Sequence, residues 1–343
     1  MEATEAHVTL TDFRFGSGET LPAVTQHYRT LGTPRRGADG AIDNAVLLLH
    51  GTTGGGSQFL IPSTADHLFG PGQPLDIDTY FVILPDALGH GGSSKPSDGL
   101  GNRFPQYGYV DIVTAHHRLV TEHLGIRTLR LVAGTSMGGM QTWMWGEMYP
   151  DAMSALMPIA ALPQPVRGRN LLYRRLLIDA IRTDPAYRGG DYDTQPRSVG
   201  LAFNIFGLMT HGVPALERAV DSIATADARV TEETDNAVQQ QDANDVIWEF
   251  AASFDYDPSG GLEKITAPLL AVNFEDDEVN PNELGILQHA IERVARGRAV
   301  VVPTSPETDG HLSLKDANLW AHHVQEILEW TVDGHLTATS HHQ

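Results

Sequence analysis

"LRLVAGTSMGGMQTWMW", residues 129–145, sets one serine, Ser136, among three glycines, between a short apolar run and a run of large side chains. Within it Gly134-Thr135-Ser136-Met137-Gly138 fits G-x-S-x-G, the pattern of a serine carried on a sharp strand-to-helix turn. The turn is so tight that a side chain at either glycine position would strike neighbouring backbone, so both must be small. In a chain with 34 glycines the bare pattern is weak. Its surroundings strengthen it. Residues 129–133 (LRLVA) read as a strand and residues 137–149 as a helix, so strand, serine and helix follow in the order the turn requires.

Outward from this stretch, further runs rich in Val, Ile and Leu occur at 45–50 (AVLLLH), 80–85 (YFVILP), 155–160 (ALMPIA), 268–273 (PLLAVN) and 298–303 (RAVVVP). Such runs read as buried strands. Apolar residues at helical spacing occupy 109–124, 137–149 and 283–295, and 314–332 reads as a final amphipathic helix. Alternating strands and helices predict an α/β fold, a mainly parallel sheet with helices on both faces. Residues 162–266 interrupt this alternation with helical periodicity and no convincing strand. They contain LLYRRLLIDAIRTDP, the loop YRGGDYDTQPRSVG and the apolar LAFNIFGLM, and the expectation is a helical cap at 162–266 inserted into a core formed by 1–161 and 267–343.

Acidic residues outnumber basic ones 43 to 23, for a net charge of -20. That charge repels phosphate backbones and anionic lipid, so neither nucleic acid nor a membrane is an expected partner. No apolar run approaches the roughly 20 residues needed to span a bilayer, and MEATEAHVTL lacks the basic start and apolar core of a signal peptide. A cytoplasmic location is the expectation, with a processed secreted form as the alternative. The chain has no cysteine, which excludes disulfides, thiolate nucleophiles and cysteine-ligated metals. Its sixteen histidines include the pairs 116–117, 322–323 and 341–342, none in a metal-ligand spacing, and no metal is expected. The glycine-rich TTGGGS lacks the lysine of a phosphate loop, and no nucleotide or other cofactor is expected.

A serine hydroxyl is a poor nucleophile at neutral pH and needs a histidine base held by a carboxylate. After PLLAVNF stands Glu275-Asp276-Asp277-Glu278, and after RAVVVPTSPETDG stands His311. Charge developing on a substrate oxygen needs backbone N–H donors already aimed at it. Met137, at the start of the helix after Ser136, offers one amide, and the loop His50-Gly51-Thr52-Thr53-Gly54 offers a second at Thr52.

GTSMGGMQTWMWGEMYPD (134–151), HYRTLG (27–32), FPQYGYVDIVTAHHRLVTEHLGI (104–126) and DPAYRGGDY (184–192) together make the chain resemble the α/β-hydrolase superfamily, and within it the homoserine O-acetyltransferase-like branch. The resemblance runs over nearly the whole chain and implies the α/β-hydrolase fold. It implies a triad in the order serine, acid, histidine: Ser136, then Asp277, four residues before Pro281, with Asp276 as runner-up, then His311. It also implies Thr52 and Met137 as the oxyanion donors, and makes a homodimer through the cap the family-based expectation.

Two departures redirect the substrate. The acetyltransferases place an aspartate after the catalytic histidine to hold the homoserine amino group, and here that position is Leu312. They place a carboxylate-binding arginine in a cap segment similar to GLAFNIFGLMTHG, and here no arginine occurs between Arg197 and Arg218. A buried zwitterion without both partner charges loses several kcal/mol. The expected substrate is a small to medium uncharged ester in a pocket lined by Thr53, Phe59, Phe203, Phe206, Met209 and Leu312, and the expected activity is serine carboxylic-ester hydrolysis. An acyl-CoA-dependent O-acyltransferase with another acceptor is the alternative, followed by a non-catalytic small-molecule receptor on the same fold.

Overall fold

The six apolar runs become six consecutive neighbours, out to one edge, of an eight-stranded sheet in the computed structural model, which describes residues 2–333. The strands are β1 (Thr4–Arg14), β2 (Thr20–Leu31), β3 (Ala45–Leu49), β4 (Phe81–Pro85), β5 (Leu131–Thr135), β6 (Leu156–Ile159), β7 (Leu269–Phe274) and β8 (Gly297–Val302). Their spatial order is β1-β2-β4-β3-β5-β6-β7-β8. From β4 to β8 every pairing is parallel, and β1 and β2 add an antiparallel edge.

Strands β3 to β7 are buried at every position, as strands covered on both faces must be. Alternate residues therefore feed two separate cores. Leu47, Leu49, Val132 and Ala271 pack with Ile112 and Trp143 on one face, while Val46, Leu48, Leu131 and Val272 pack with Leu68, Trp320 and Ile327 on the other. Each large aliphatic side chain so enclosed contributes about 1.5–3 kcal/mol relative to exposure. The covering helices are α1 (Pro62–Leu68), α2 (Tyr109–Arg118), α3 (Met137–Met148), α9 (Ile286–Ile291) and α10 (Ala321–Asp333). Between β6 and β7 come α4 (Gly168–Thr183), α5 (Ser198–Thr210), α6 (Val213–Ala219), α7 (Ile223–Gln240) and α8 (Ala243–Ala251). No strand falls in that segment, and among the described residues no single helix is long and apolar enough to cross a membrane.

Three elements differ from the sequence expectation. The helix expected at 314–332 begins only at Ala321, because Asp316 turns its carboxylate onto the Asn318 amide and breaks the run into two short 3-10 turns. The helix expected at 283–295 shrinks to α9, because Gly285 enters it in a left-handed conformation, φ +63°. The hairpin β1–β2 offers no apolar run, since exposed or half-buried positions interrupt its few buried ones along both strands. The 341–342 histidine pair lies outside the described residues.

Candidate active site

Ser136 stands between the end of β5 and the first residue of α3 at φ +53°, ψ −111°, a conformation L-residues adopt only under constraint. The constraint is local. Ser136 N–H donates to Ile159 O at 2.9 Å, and Met140 N–H donates to Ser136 O at 2.8 Å. A Cβ at Gly138 would overlap the Leu49 carbonyl, and one at Gly134 would overlap the Gly138 backbone, so both glycines are sterically required.

The loops after β7 and β8 bring the other two groups to this turn. His311, on the turn Gly310–Lys315, has Nε2 at 2.8 Å from Ser136 Oγ and Nδ1 at 2.8 Å from Asp277 Oδ2. Since Nε2 faces a hydroxyl proton, Nδ1 carries the ring proton and donates to the carboxylate. Asp277 is buried, and its Oδ1 accepts from Val279 N–H at 2.8 Å and Asn280 N–H at 3.1 Å. Burial alone would push the Asp277 carboxyl up, but the facing His311 and these donors hold it below its ordinary value. Asp276, its sequence neighbour, points elsewhere: its Oδ2 accepts from Thr308 Oγ1 at 2.9 Å and Gly310 N–H at 3.0 Å, bracing the loop that carries the histidine. A hydroxyl facing a carboxylate-backed imidazole can lose its proton as it attacks an electrophilic carbon.

The loop after β3 lies across from the turn and is pinned at each peptide. His50 Nδ1 donates to Gly51 O at 2.7 Å, which fixes the plane of the peptide that carries the Thr52 N–H. His50 Nε2 accepts from Ala87 N–H at 2.8 Å, so its tautomer is set, and burial lowers its pKa and keeps the ring neutral. Gln58 accepts from Gly51 N–H at 2.9 Å and donates to Thr135 Oγ1 at 2.7 Å, tying this loop to the residue before Ser136. Met137 opens α3 with its side chain in the core, leaving its amide as the group it can offer.

A cavity of about 250 Å³ holds Ser136 and His311, and Thr52, Thr53, Phe59, Phe206 and Leu312 line it. Phe203 and Met209 do not. One helical turn before Phe206, Phe203 packs edge-on to that ring with centroids 6.2 Å apart, and Met209 packs against the core cluster. Ile61, Thr64, Leu314 and Lys315 also line the cavity and were not anticipated. Nothing in their local sequence marks them, because they reach the serine only when α1 and the turn after β8 come together, as the Ser63 and Thr64 hydroxyls do on Lys315 O at 2.8 and 3.0 Å.

The sequence profile of the alpha/beta hydrolase fold matches residues 44–295. A probable acyltransferase from Methanothermobacter thermautotrophicus is 34% identical over 294 residues, which cover 84% of this chain and 88% of that protein. A homoserine O-acetyltransferase from Carboxydothermus hydrogenoformans is 29% identical over 316 residues, covering 80% and 81%. Matches to other homoserine acyltransferases, from Magnetococcus marinus and Solidesulfovibrio magneticus, span about half of those proteins, 52% and 49%. The solved structure of the acetyl esterase MekB superposes with a TM-score of 0.82 at 23% identity, covering 95% of this chain and 97% of that one, a likeness of fold.

Proposed function

We propose that this chain, which belongs to the alpha/beta hydrolase fold family and to its homoserine O-acetyltransferase-like branch, is a serine hydrolase of short, uncharged carboxylic esters. The observation that carries the reading is the continuous relay from Ser136 Oγ through His311 to Asp277, with 2.8 Å at both steps. As Ser136 attacks the ester carbonyl, its proton passes to His311 Nε2, and Asp277 stabilises the resulting imidazolium. The oxyanion is met by the Thr52 and Met137 amides, each contributing on the order of 3 kcal/mol at the transition state. His311 then protonates the departing alkoxide, which leaves an acyl group on Ser136. In the second half a water loses its proton to His311 and releases the acid.

The cavity favours a small, neutral acyl group. Phe59, Phe206 and Leu312 give it an apolar wall, Lys315 contributes an exposed side chain, and among the described residues no carboxylate lines it. The amino group of homoserine would therefore be desolvated without a partner, at a cost of several kcal/mol. Acyl-CoA-dependent O-acyl transfer is the second reading, favoured by the 34% identical relative that is called a probable acyltransferase.

A panel of p-nitrophenyl acetate, butyrate and octanoate, run with and without acetyl-CoA and a set of alcohols, separates the two. Hydrolysis is expected to be fastest on acetate or butyrate and indifferent to acetyl-CoA. Acyl transfer to an alcohol that outpaces hydrolysis would establish the transferase. Failure of a fluorophosphonate to label Ser136 would instead favour a binding protein without catalysis.

A further inference from the structure

Four donors surround the Asp277 carboxylate, and one of them is a side chain outside the triad. Asn280 is buried, and its Nδ2 lies 2.9 Å from Asp277 Oδ2, 2.9 Å from Ala160 O and 3.3 Å from His311 Nδ1. Two acceptors on the same atom identify it as the amide nitrogen, with one N–H directed to each. Because His311 Nδ1 also carries a proton, Asn280 and His311 meet as two donors, and both spend their hydrogens on the same oxygen, Oδ2.

The other end of the contact is equally unusual. Ala160, just past β6, is buried at φ +51°, a left-handed conformation that an alanine keeps only where its surroundings enforce it. Its N–H donates to Val272 O at 2.8 Å, and its carbonyl accepts from Asn280 at 2.9 Å. The side chain of Asn280 thus ties the loop that carries the acid to the end of the strand beside the nucleophile.

We propose that Asn280 is a positioning residue of the triad: anchored on the Ala160 carbonyl, its amide holds the Asp277 carboxylate against His311 and competes with His311 for the same oxygen. The inference rests on the reading of Ser136, His311 and Asp277 as a catalytic triad. Two consequences follow from the geometry. Without the amide, Asp277 loses one of the contacts that fix its rotamer, so turnover falls. Without the competing donor, Oδ2 interacts more strongly with a protonated His311, so the base is lost to protonation at a higher pH. The other charged groups nearby are Asp276 on the loop before His311, the His211–Asp309 pair at 2.8 Å, the Arg169–Glu278 pair beside the acid loop, and Lys315. None of them hydrogen-bonds to the Asn280 side chain.

The test uses the full chain with p-nitrophenyl acetate, measuring kcat, KM and the pH profile of kcat/KM for Asn280→Ala and Asn280→Leu. Asn280 lines a cavity of about 520 Å³ whose walls do not include His311, so leucine has room and serves if the alanine variant folds poorly. The expected result is a fall of about tenfold in kcat with little change in KM, and an acid limb moved to higher pH by about one unit. An acid limb that stays in place, with or without a fall in kcat, overturns the proposal. Ser136→Ala in the same assay separates the two readings: turnover retained there removes the triad itself, whereas an inactive Ser136→Ala beside an Asn280→Leu with the parent pH profile removes only the role of Asn280.

Discussion

Asp277 accepts two hydrogen bonds at each carboxylate oxygen, so its orientation toward His311 is fixed before any substrate arrives. Replacing it with asparagine keeps the shape but offers an N–H or a weaker acceptor to Nδ1, which favours the tautomer that cannot take a proton from Ser136. Asp277→Asn is therefore expected to lower kcat on p-nitrophenyl acetate by roughly 10⁴-fold with a much smaller change in KM, as steady-state kinetics will read. At this scale the sequence carries the nucleophile and the base well, because strand, turn and helix around Ser136 and the late position of His311 are local features. It carries the choice between Asp276 and Asp277 only through resemblance, since adjacent carboxylates differ in what they meet after folding: Gly310 and Thr308 in one case, the imidazole in the other. Asn280 and Lys315 carry no local signal at all. Their roles depend on loops far apart in the chain meeting at one place.

The nucleophile turn works as an element because α3 packs directly against β3 and β5. A methyl group at Gly138 would overlap the Leu49 carbonyl, which belongs to a strand buried on both faces and has nowhere to move. Gly138→Ala is expected to destabilise the chain by about 3 kcal/mol or more, read as a lower urea midpoint, and to displace Ser136 from His311. The central strands were legible because burial on both faces makes them continuously apolar, although β5 starts at Leu131 and runs through Gly134 and Thr135, later than its apolar residues suggest. Leu129, the first residue of that run, makes only an isolated bridge to Met153. The hairpin β1–β2 illustrates the opposite case, an edge whose exposed polar residues give no hydrophobic run to detect.

Across the whole molecule, buried histidines couple stability to pH. Burial lowers His90 and His116 to about 3, and among the described residues neither nitrogen of His116 has a hydrogen-bond partner. In the unfolded chain both titrate near 6.5. Between about pH 6.5 and 3 the unfolded state therefore binds more protons than the folded one, and stability falls as the pH drops through that window. Glu249, which burial raises well above its ordinary value, acts in the opposite sense above about pH 4.5. His116→Leu isolates one contribution. Its stability relative to the parent, from urea unfolding, is expected to be greater at pH 5 than at pH 8 by about 2 kcal/mol. The missing cysteine excludes thiolate chemistry, but neither it nor the net acidity identifies a substrate; that depends on a cavity of about 250 Å³ assembled from several separate segments. An acyl group carried on Ser136 is the step on which hydrolysis and transfer both depend, and turnover of p-nitrophenyl acetate by Ser136→Ala tests it most directly. A fall of at least about 10⁴-fold is expected, and turnover within about tenfold of the parent would contradict an acyl-enzyme on Ser136.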